Sequence, residues 1–265
     1  MKIGYIQMAP VLGDRDATIR KIDRLMQQGK GADILVLPEL CNSGYNFTDR
    51  QHAWNASETI DQSIFIQYLV SICRDYGLHI VSGFNEKDGN RLYNAAILVG
   101  PHGYLGKYRK LHLFMNEKDY FEHGDIGLPI FTVGSCRVGL LVCFDWIFPE
   151  VWRILALKGA DIVCHPSNLV LPGLAQKAVP VHALLNRIHI VTANRVGTEG
   201  DLTFTGLSTI ADHRGNVLLQ ATEVREEVGI VNVNPELARD KRVTPRNDIF
   251  EDRRPDQYRD LIDSL

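Results

Sequence analysis

No stretch of this chain approaches the ~20 consecutive apolar residues that a membrane-spanning helix requires, so no membrane association is expected. No signal peptide is expected, because Met1-Lys2-Ile3 runs straight into a strand-like pattern. There is no Cys-x-x-Cys pair. The five cysteines, Cys41, Cys73, Cys136, Cys143 and Cys164, are odd in number and scattered, which argues against a disulfide framework and suits the reduced thiols of a cytoplasmic protein. The nine histidines lack zinc-type spacing, so no metal is expected, and no motif asks for another cofactor. Charge of one sign is scarce: the net charge is −3, which gives no reason to expect a nucleic-acid partner. Internal repeats, low-complexity tracts and breaks in composition are missing too, which leaves one domain over residues 1–265.

What is present is enough apolar material for a core. Hydrophobic residues make up 45 % of the 265 positions, and a chain of this length buries about 75 % of its unfolded surface. Strand-like runs fall at Ile3–Met8, Ile34–Leu37, His79–Gly83, Asn94–Val99, Arg137–Val142, Ile162–His165, His189–Ala193 and Gly206–Ala211. Helical patterns fall at Ala17–Gln28, Ser63–Tyr76, Pro149–Lys158 and Gln176–Arg187. Residues 94–133 read as hairpin-like strands with a glycine turn at 100–103. Periodicity supports a layered α/β fold and goes no further.

Three segments carry chemistry. The run Val138–Val142 reads as a buried strand that ends at Cys143, and Pro149-Glu150 then opens a helix. A thiol at such an elbow is expected to feel the positive end of the helix, a field that favours thiolate. The alternative is an ordinary packed cysteine. Ile34-Leu-Val-Leu-Pro-Glu-Leu40 is a short strand that delivers Glu39 to the carboxyl edge of a sheet, where clefts form. Gly106-Lys-Tyr-Arg-Lys-Leu-His-Leu-Phe114 alternates basic and apolar residues and brings Lys107, Arg109 and Lys110 close together. Alone, these segments read as a solvated loop glutamate and an exposed basic strand.

Together, Leu37-Pro-Glu-Leu40, Tyr108-Arg-Lys-Leu-His-Leu-Phe114 and Val142-Cys-Phe-Asp-Trp-Ile-Phe-Pro-Glu150 resemble the nitrilase superfamily of carbon-nitrogen hydrolases, in that family's order and spacing. The likeness runs from Lys2-Ile-Gly-Tyr-Ile-Gln-Met8 to Asp252-Arg-Arg-Pro255 and is strongest to archaeal-type members. It implies a four-layer α-β-β-α sandwich, with Glu39 as general base, Lys110 as the cation beside the tetrahedral intermediate and Cys143 as nucleophile. Glu117 fits the second glutamate that follows the lysine in many members. The resemblance also implies a homodimer or higher homo-oligomer, with residues 239–265 as an arm across the partner.

The residues suit that chemistry. Attack on an amide carbon needs a thiolate, a proton carrier for the departing ammonia and a donor for the oxyanion. Glu39 can carry the proton, and Lys110 with the Phe144 backbone N–H can hold the oxyanion. Tyr45, Phe114, Phe144 and Trp146 are candidates for the pocket wall, and Asn168 for a donor to a polar substrate tail. One departure stands out. Where many relatives place Arg and Glu before an Asn, this chain has His182 and Leu185 in Val181-His-Ala-Leu-Leu-Asn-Arg187. The expected activity is hydrolysis of a small aliphatic carboxamide through a thioester. A nitrilase and an N-carbamoyl amine hydrolase are the alternatives, and Cys-Phe-Asp-Trp in place of the Cys-Trp-Glu of dedicated nitrilases leans towards amide. A silent binding protein of the same fold, and a thiol hydrolase using His165, complete the rivals.

Overall fold

The computed structural model describes residues 1–263. In chain order the elements are β1 (Lys2–Gln7), α1 (Arg15–Met26), β2 (Ile34–Val36), α2 (Arg50–Asn55), α3 (Ile64–Tyr76), β3 (His79–Asp88), β4 (Arg91–Gly100), β5 (Gly103–Arg109), α4 (Glu117–Tyr120), β6 (Ile130–Val133), β7 (Cys136–Leu140), α5 (Pro149–Leu157), β8 (Ile162–Pro166), α6 (Leu174–Asn186), β9 (His189–Ala193), β10 (Thr198–Glu199), β11 (Leu202–Thr203), β12 (Thr209–Ala211), β13 (Val217–Gln220), β14 (Glu227–Asn232), β15 (Arg242–Thr244), β16 (Asn247–Asp248) and α7 (Asp260–Asp263).

Helix starts follow their sequence signals. Asp14 caps α1 by accepting from Ala17 N at 2.8 Å, and Ser63 caps α3 by accepting from Ile66 N at 2.9 Å. Pro149 occupies the first turn of α5, where its missing N–H is no loss.

Two six-stranded sheets form the body. One runs β14-β1-β2-β3-β4-β5 and the other β13-β12-β9-β8-β7-β6. Alternation along each strand decides what it faces. Ile3 and Tyr5 of β1, Ile34 and Val36 of β2, and Ala96 and Leu98 of β4 turn inward to meet Val138, Leu140, Ile162 and Val191 of the second sheet. Their neighbours Ile6, Leu35, Ile80 and Ile97 turn the other way and pack under Ile22 and Leu25 of α1 and Phe65, Leu69 and Ile72 of α3. Helices α5 and α6 cover the outer face of the second sheet through Trp152, Leu155, Val179 and Ala183. The order is therefore helix, sheet, sheet, helix, as the resemblance implied. The strands after which Glu39, Lys110 and Cys143 follow all end on the same side of the sandwich.

Candidate active site

Each candidate side chain is set by the backbone that leaves its strand. Past β2 the chain stays beside β3, with Leu37 N donating to Val81 O at 2.8 Å and Gly83 N to Pro38 O at 3.0 Å, then turns at Leu40 (φ 48°). Gly83 is required there: a Cβ on it would sit 2.3 Å from Glu39 Cα. Past β5, Lys110 N donates to Asn94 O at 2.8 Å, and Gly124 crosses so closely that a Cβ on it would be 2.1 Å from Arg109 O. Past β7, the chain enters a single 3₁₀ turn, Cys143–Ile147, with Cys143 at φ 43°. Asp145 fixes that turn. Its carboxylate accepts from Val142 N at 2.9 Å, Tyr108 OH at 2.8 Å and His112 Nδ1 at 2.7 Å, which ties the cysteine segment to the lysine segment.

Glu39, Lys110, Glu117 and Cys143 are all buried, at 0 %, 0 %, 4 % and 4 % exposure. Lys110 Nζ donates to Glu39 Oε1 at 2.7 Å and to both Glu117 oxygens at 2.8 Å. Asn94 Nδ2 donates to Glu39 Oε1 at 2.7 Å, and Tyr45 OH to Glu117 Oε1 at 2.7 Å. Glu39 Oε2 is buried and accepts no hydrogen bond from the described residues. Burial alone would push the Lys110 ammonium down, but the Glu117 and Glu39 carboxylates outweigh it and hold it well above its ordinary value. Burial raises Glu117 against the pull of Lys110.

The expected thiolate is not what the surroundings favour. Cys143 is pushed well above the usual thiol value, first by burial and then by the Glu39 charge, with Lys110 pulling the other way. The reason is geometric: the 3₁₀ turn separates Cys143 from α5, whose first residue is Pro149. These surroundings favour the thiol over the thiolate, and the Glu39 carboxylate that helps raise it keeps one oxygen, Oε2, without a hydrogen-bond partner among the described residues. His165 does not rescue the Cys-His alternative. It is buried, pushed down to about 4 by burial, and its Nε2 donates to the Cys143 carbonyl at 2.9 Å rather than reaching the sulfur as a base.

The sequence model described as carbon-nitrogen hydrolase matches residues 2–243. The chain belongs to the carbon-nitrogen hydrolase family. A protein called nitrilase from Pyrococcus abyssi is 46 % identical, covering 97 % of this chain and 99 % of its own. A protein called N-carbamoylputrescine amidase from Arabidopsis thaliana is 28 % identical, over 94 % of this chain and 91 % of its own. Among solved structures, a variant of an amidase from Nesterenkonia sp., in complex with butyramide, superposes with a TM-score of 0.77 at 28 % identity, covering 91 % of this chain and 94 % of its own.

In this carbon-nitrogen hydrolase the other candidates divide. Phe114, Phe144, Trp146 and Asn168 line a small pocket over Cys143. Tyr45 and Phe114 line a second cavity with Glu117. Asn168 Nδ2 donates to Glu39 O at 3.0 Å, which uses one of its two amide hydrogens; its Oδ1 has no partner among the described residues, and its backbone N–H lowers the thiol's pKa. Lys107 and Arg109 do not join Lys110. They pair with Glu86 on the opposite side of the strand, as β alternation requires. His182 is structural, donating from Nε2 to Trp146 O at 2.8 Å and stacking on Trp152, while Leu185 is half exposed.

Sequence reasoning missed Asn94 and the pair Arg195–Glu199. Glu199 accepts from Tyr45 N at 2.9 Å, Asn46 N at 2.6 Å and Arg195 Nη2 at 2.9 Å, and so holds the loop that brings Tyr45 to Glu117. The i,i+4 charge pair in Arg195-Val-Gly-Thr-Glu199, placed just past an apolar strand, was the available signal. Among the described residues no His, Cys, Asp and Glu group could hold a metal, and no helix is long and apolar enough to cross a membrane.

Proposed function

We propose that the chain is an amidase that hydrolyses a small aliphatic carboxamide to carboxylate and ammonia through a Cys143 thioester. The observation that carries this reading is a buried cluster in which Lys110 is clamped between Glu39 and Glu117, Glu39 Oε2 has no partner among the described residues, and Cys143 lies within reach of the Glu39 and Lys110 charges. Glu39 takes the thiol proton as sulfur bonds to the amide carbon and the carbonyl electrons move to oxygen. Lys110 and the Phe144 backbone N–H stabilise that oxyanion. The proton passes from Glu39 to nitrogen, the C–N bond breaks and ammonia leaves. Water then attacks the thioester, gives a proton to Glu39, and the C–S bond breaks to restore the thiol. Asn94 and Tyr45 keep the two glutamates oriented, so Glu39 carries protons while Glu117 positions Lys110 and the amide nitrogen.

A nitrile reading has one specific support, the 46 % identical relative called nitrilase. The same groups would give a thioimidate. Comparing kcat/KM for an amide and its matching nitrile separates the two. A tenfold advantage for the nitrile, about 1.4 kcal/mol, would overturn the amide reading. A thioester mass seen in single turnover, and lost in Cys143→Ala, is the expected result for the mechanism.

We infer a homodimer formed through α5 and α6, whose outer faces leave Ile154, Leu157, Val181, Leu184 and Leu185 between 40 % and 50 % exposed. Residues 239–263, the described part of the expected arm at 239–265, would extend over the partner. Five free, buried cysteines support a cytoplasmic location.

A further inference from the structure

Past β8 the chain is pinned on both sides of Asn168. Ser167 N donates to Ala193 O and Leu169 N to Asn194 Oδ1, each at 2.8 Å, so the backbone between them has little freedom. The Asn168 side chain is 2 % exposed and bridges the two sheets: Nδ2 donates to the backbone O of Glu39 at 3.0 Å, while the backbone N–H turns towards the Cys143 sulfur. Flipping the amide would set one oxygen against another, so the donor stays on Glu39 and Oδ1 is fixed. Oδ1 is buried with no partner among the described residues. The donors of the site are committed elsewhere: Lys110 Nζ and Asn94 Nδ2 to Glu39 and Glu117, and His165 Nε2 to the Cys143 carbonyl. Asn168 lines the same pocket as Cys143. Of the other side chains there, Phe114, Phe144, Leu169, Val170 and Leu171 are apolar, and the Trp146 indole can only donate. Asn168 thus supplies the only side-chain oxygen in the wall over the thiol, and that oxygen lacks a donor.

A primary carboxamide brings what this wall lacks. Its nitrogen carries two N–H groups. Glu117, on the segment that follows β5, can take one, and the other is free for Asn168, which follows β8 in the opposite sheet. An ester of the same acid has an oxygen without hydrogen in that place, and a nitrile has a bare nitrogen. With either of them Oδ1 stays buried and unpaired, a cost that the amide removes. We propose that Asn168 Oδ1 accepts one N–H of the substrate's carboxamide, and that this bond selects amides over esters and nitriles of the same acyl group. This role rests on the amidase reading of Cys143 and adds the residue that recognises the leaving nitrogen.

The test compares propanamide with methyl propanoate, which reach the same Cys143 thioester, in the wild type, Asn168→Leu and Asn168→Asp. Both variants lose the bond to Glu39 O, but only leucine removes the acceptor. The amide-to-ester ratio of kcat/KM should fall at least about fivefold in Asn168→Leu, and hold or rise in Asn168→Asp. The ratio is internal to each protein, so a smaller folded fraction cancels. A ratio that Asn168→Leu leaves unchanged overturns the proposal. So does an equal fall in both variants, which would trace the effect to the Glu39 contact. A second measurement leaves Asn168 in place. In Glu39→Gln, which should bind substrate without turning it over, propanamide should protect Cys143 from iodoacetamide at about fivefold lower concentration than propanenitrile. Equal protection, or better protection by the nitrile, also overturns the proposal. Failure of the amidase reading looks different: the wild type then releases no ammonia from propanamide, and the order of protection decides the role of Asn168 by itself.

Discussion

Glu39→Gln should drive turnover and thiol reactivity in opposite directions. Lys110 and Asn94 both donate to Glu39 Oε1 at 2.7 Å, so a glutamine must place its amide oxygen there. Its NH₂ then falls where the unpartnered Oε2 lay, and cannot take a proton. A thiol held well above its usual 9 is less than about 1 % thiolate at pH 7, so catalysis depends on the base. General-base transfer contributes about 10² to 10⁴-fold, and kcat/KM should fall by that factor, about 2.7 to 5.4 kcal/mol. The same change deletes a negative charge that keeps the thiol up and adds an N–H donor close by. Cys143 should therefore ionise at lower pH, and iodoacetamide should label it faster at pH 7 than in the wild type. Intact mass against time across pH reads the midpoint, and peptide mapping with a Cys143→Ala control assigns the label, the other four cysteines being buried. A variant that keeps more than about a tenth of its kcat/KM would remove Glu39 from the role of base, and a labelling midpoint that rises would overturn the argument that the Glu39 charge holds the thiol up.

Tyr45→Phe should lower kcat about tenfold by freeing Glu117 Oε1, and Glu199→Gln should do the same by loosening Tyr45. In the double variant the second loss should largely vanish, and simple multiplication of the two would show that Glu199 does not act through Tyr45. His165 and His189 are each pushed from 6.5 down to about 4, chiefly by burial. The unfolded chain takes up those protons as pH drops below 6.5, whereas the folded chain resists until about 4. Stability is therefore whole above 6.5 and lost through that window, by up to about 3 kcal/mol for His165. Thermal melts between pH 7 and 4 should show the slope, His189→Gln should make it shallower, and a flat profile would contradict both burials. Sedimentation should give twice the 29.9 kDa chain mass, and Leu185→Glu should halve it; a wild-type monomer at micromolar concentration would refute the α5–α6 interface.

The candidate constellation that the fold brings together was legible because each member sits in a short, self-contained segment: strand-Pro-Glu, alternating Lys strand, strand-Cys. Its supports were not. Asn94 is one polar residue inside the apolar strand Arg91–Gly100, and only the sheet register shows that it reaches Glu39. Glu117 lies among Met115, Asn116, Lys118 and Asp119, so only the family likeness singled it out, and its burial against Lys110 shows only in the fold. The thiol's state failed for a related reason. A helix start is a local signal, whereas the burial and carboxyl groups that dominate Cys143 come from other strands. In the fold, β14 went unnoticed because its edge position leaves Glu227–Asn232 only half buried, which weakens the apolar alternation.

The first strand has a different kind of consequence, one of timing. β1 lies between β2 and β14, and its Gln7 side chain donates to the carbonyl of Arg225, 218 residues on. A ribosome adding about 5 to 20 residues per second needs roughly 10 to 40 s to cover that distance. For that interval Lys2–Gln7 has a neighbour on one side only, and the N–H and C=O groups that later pair with β14 form an open edge. Nascent chains should thus be most prone to cross-pairing with one another midway through translation, and a chaperone that shields an N-terminal strand would matter more for the yield of this protein than any gain in the stability of its finished core.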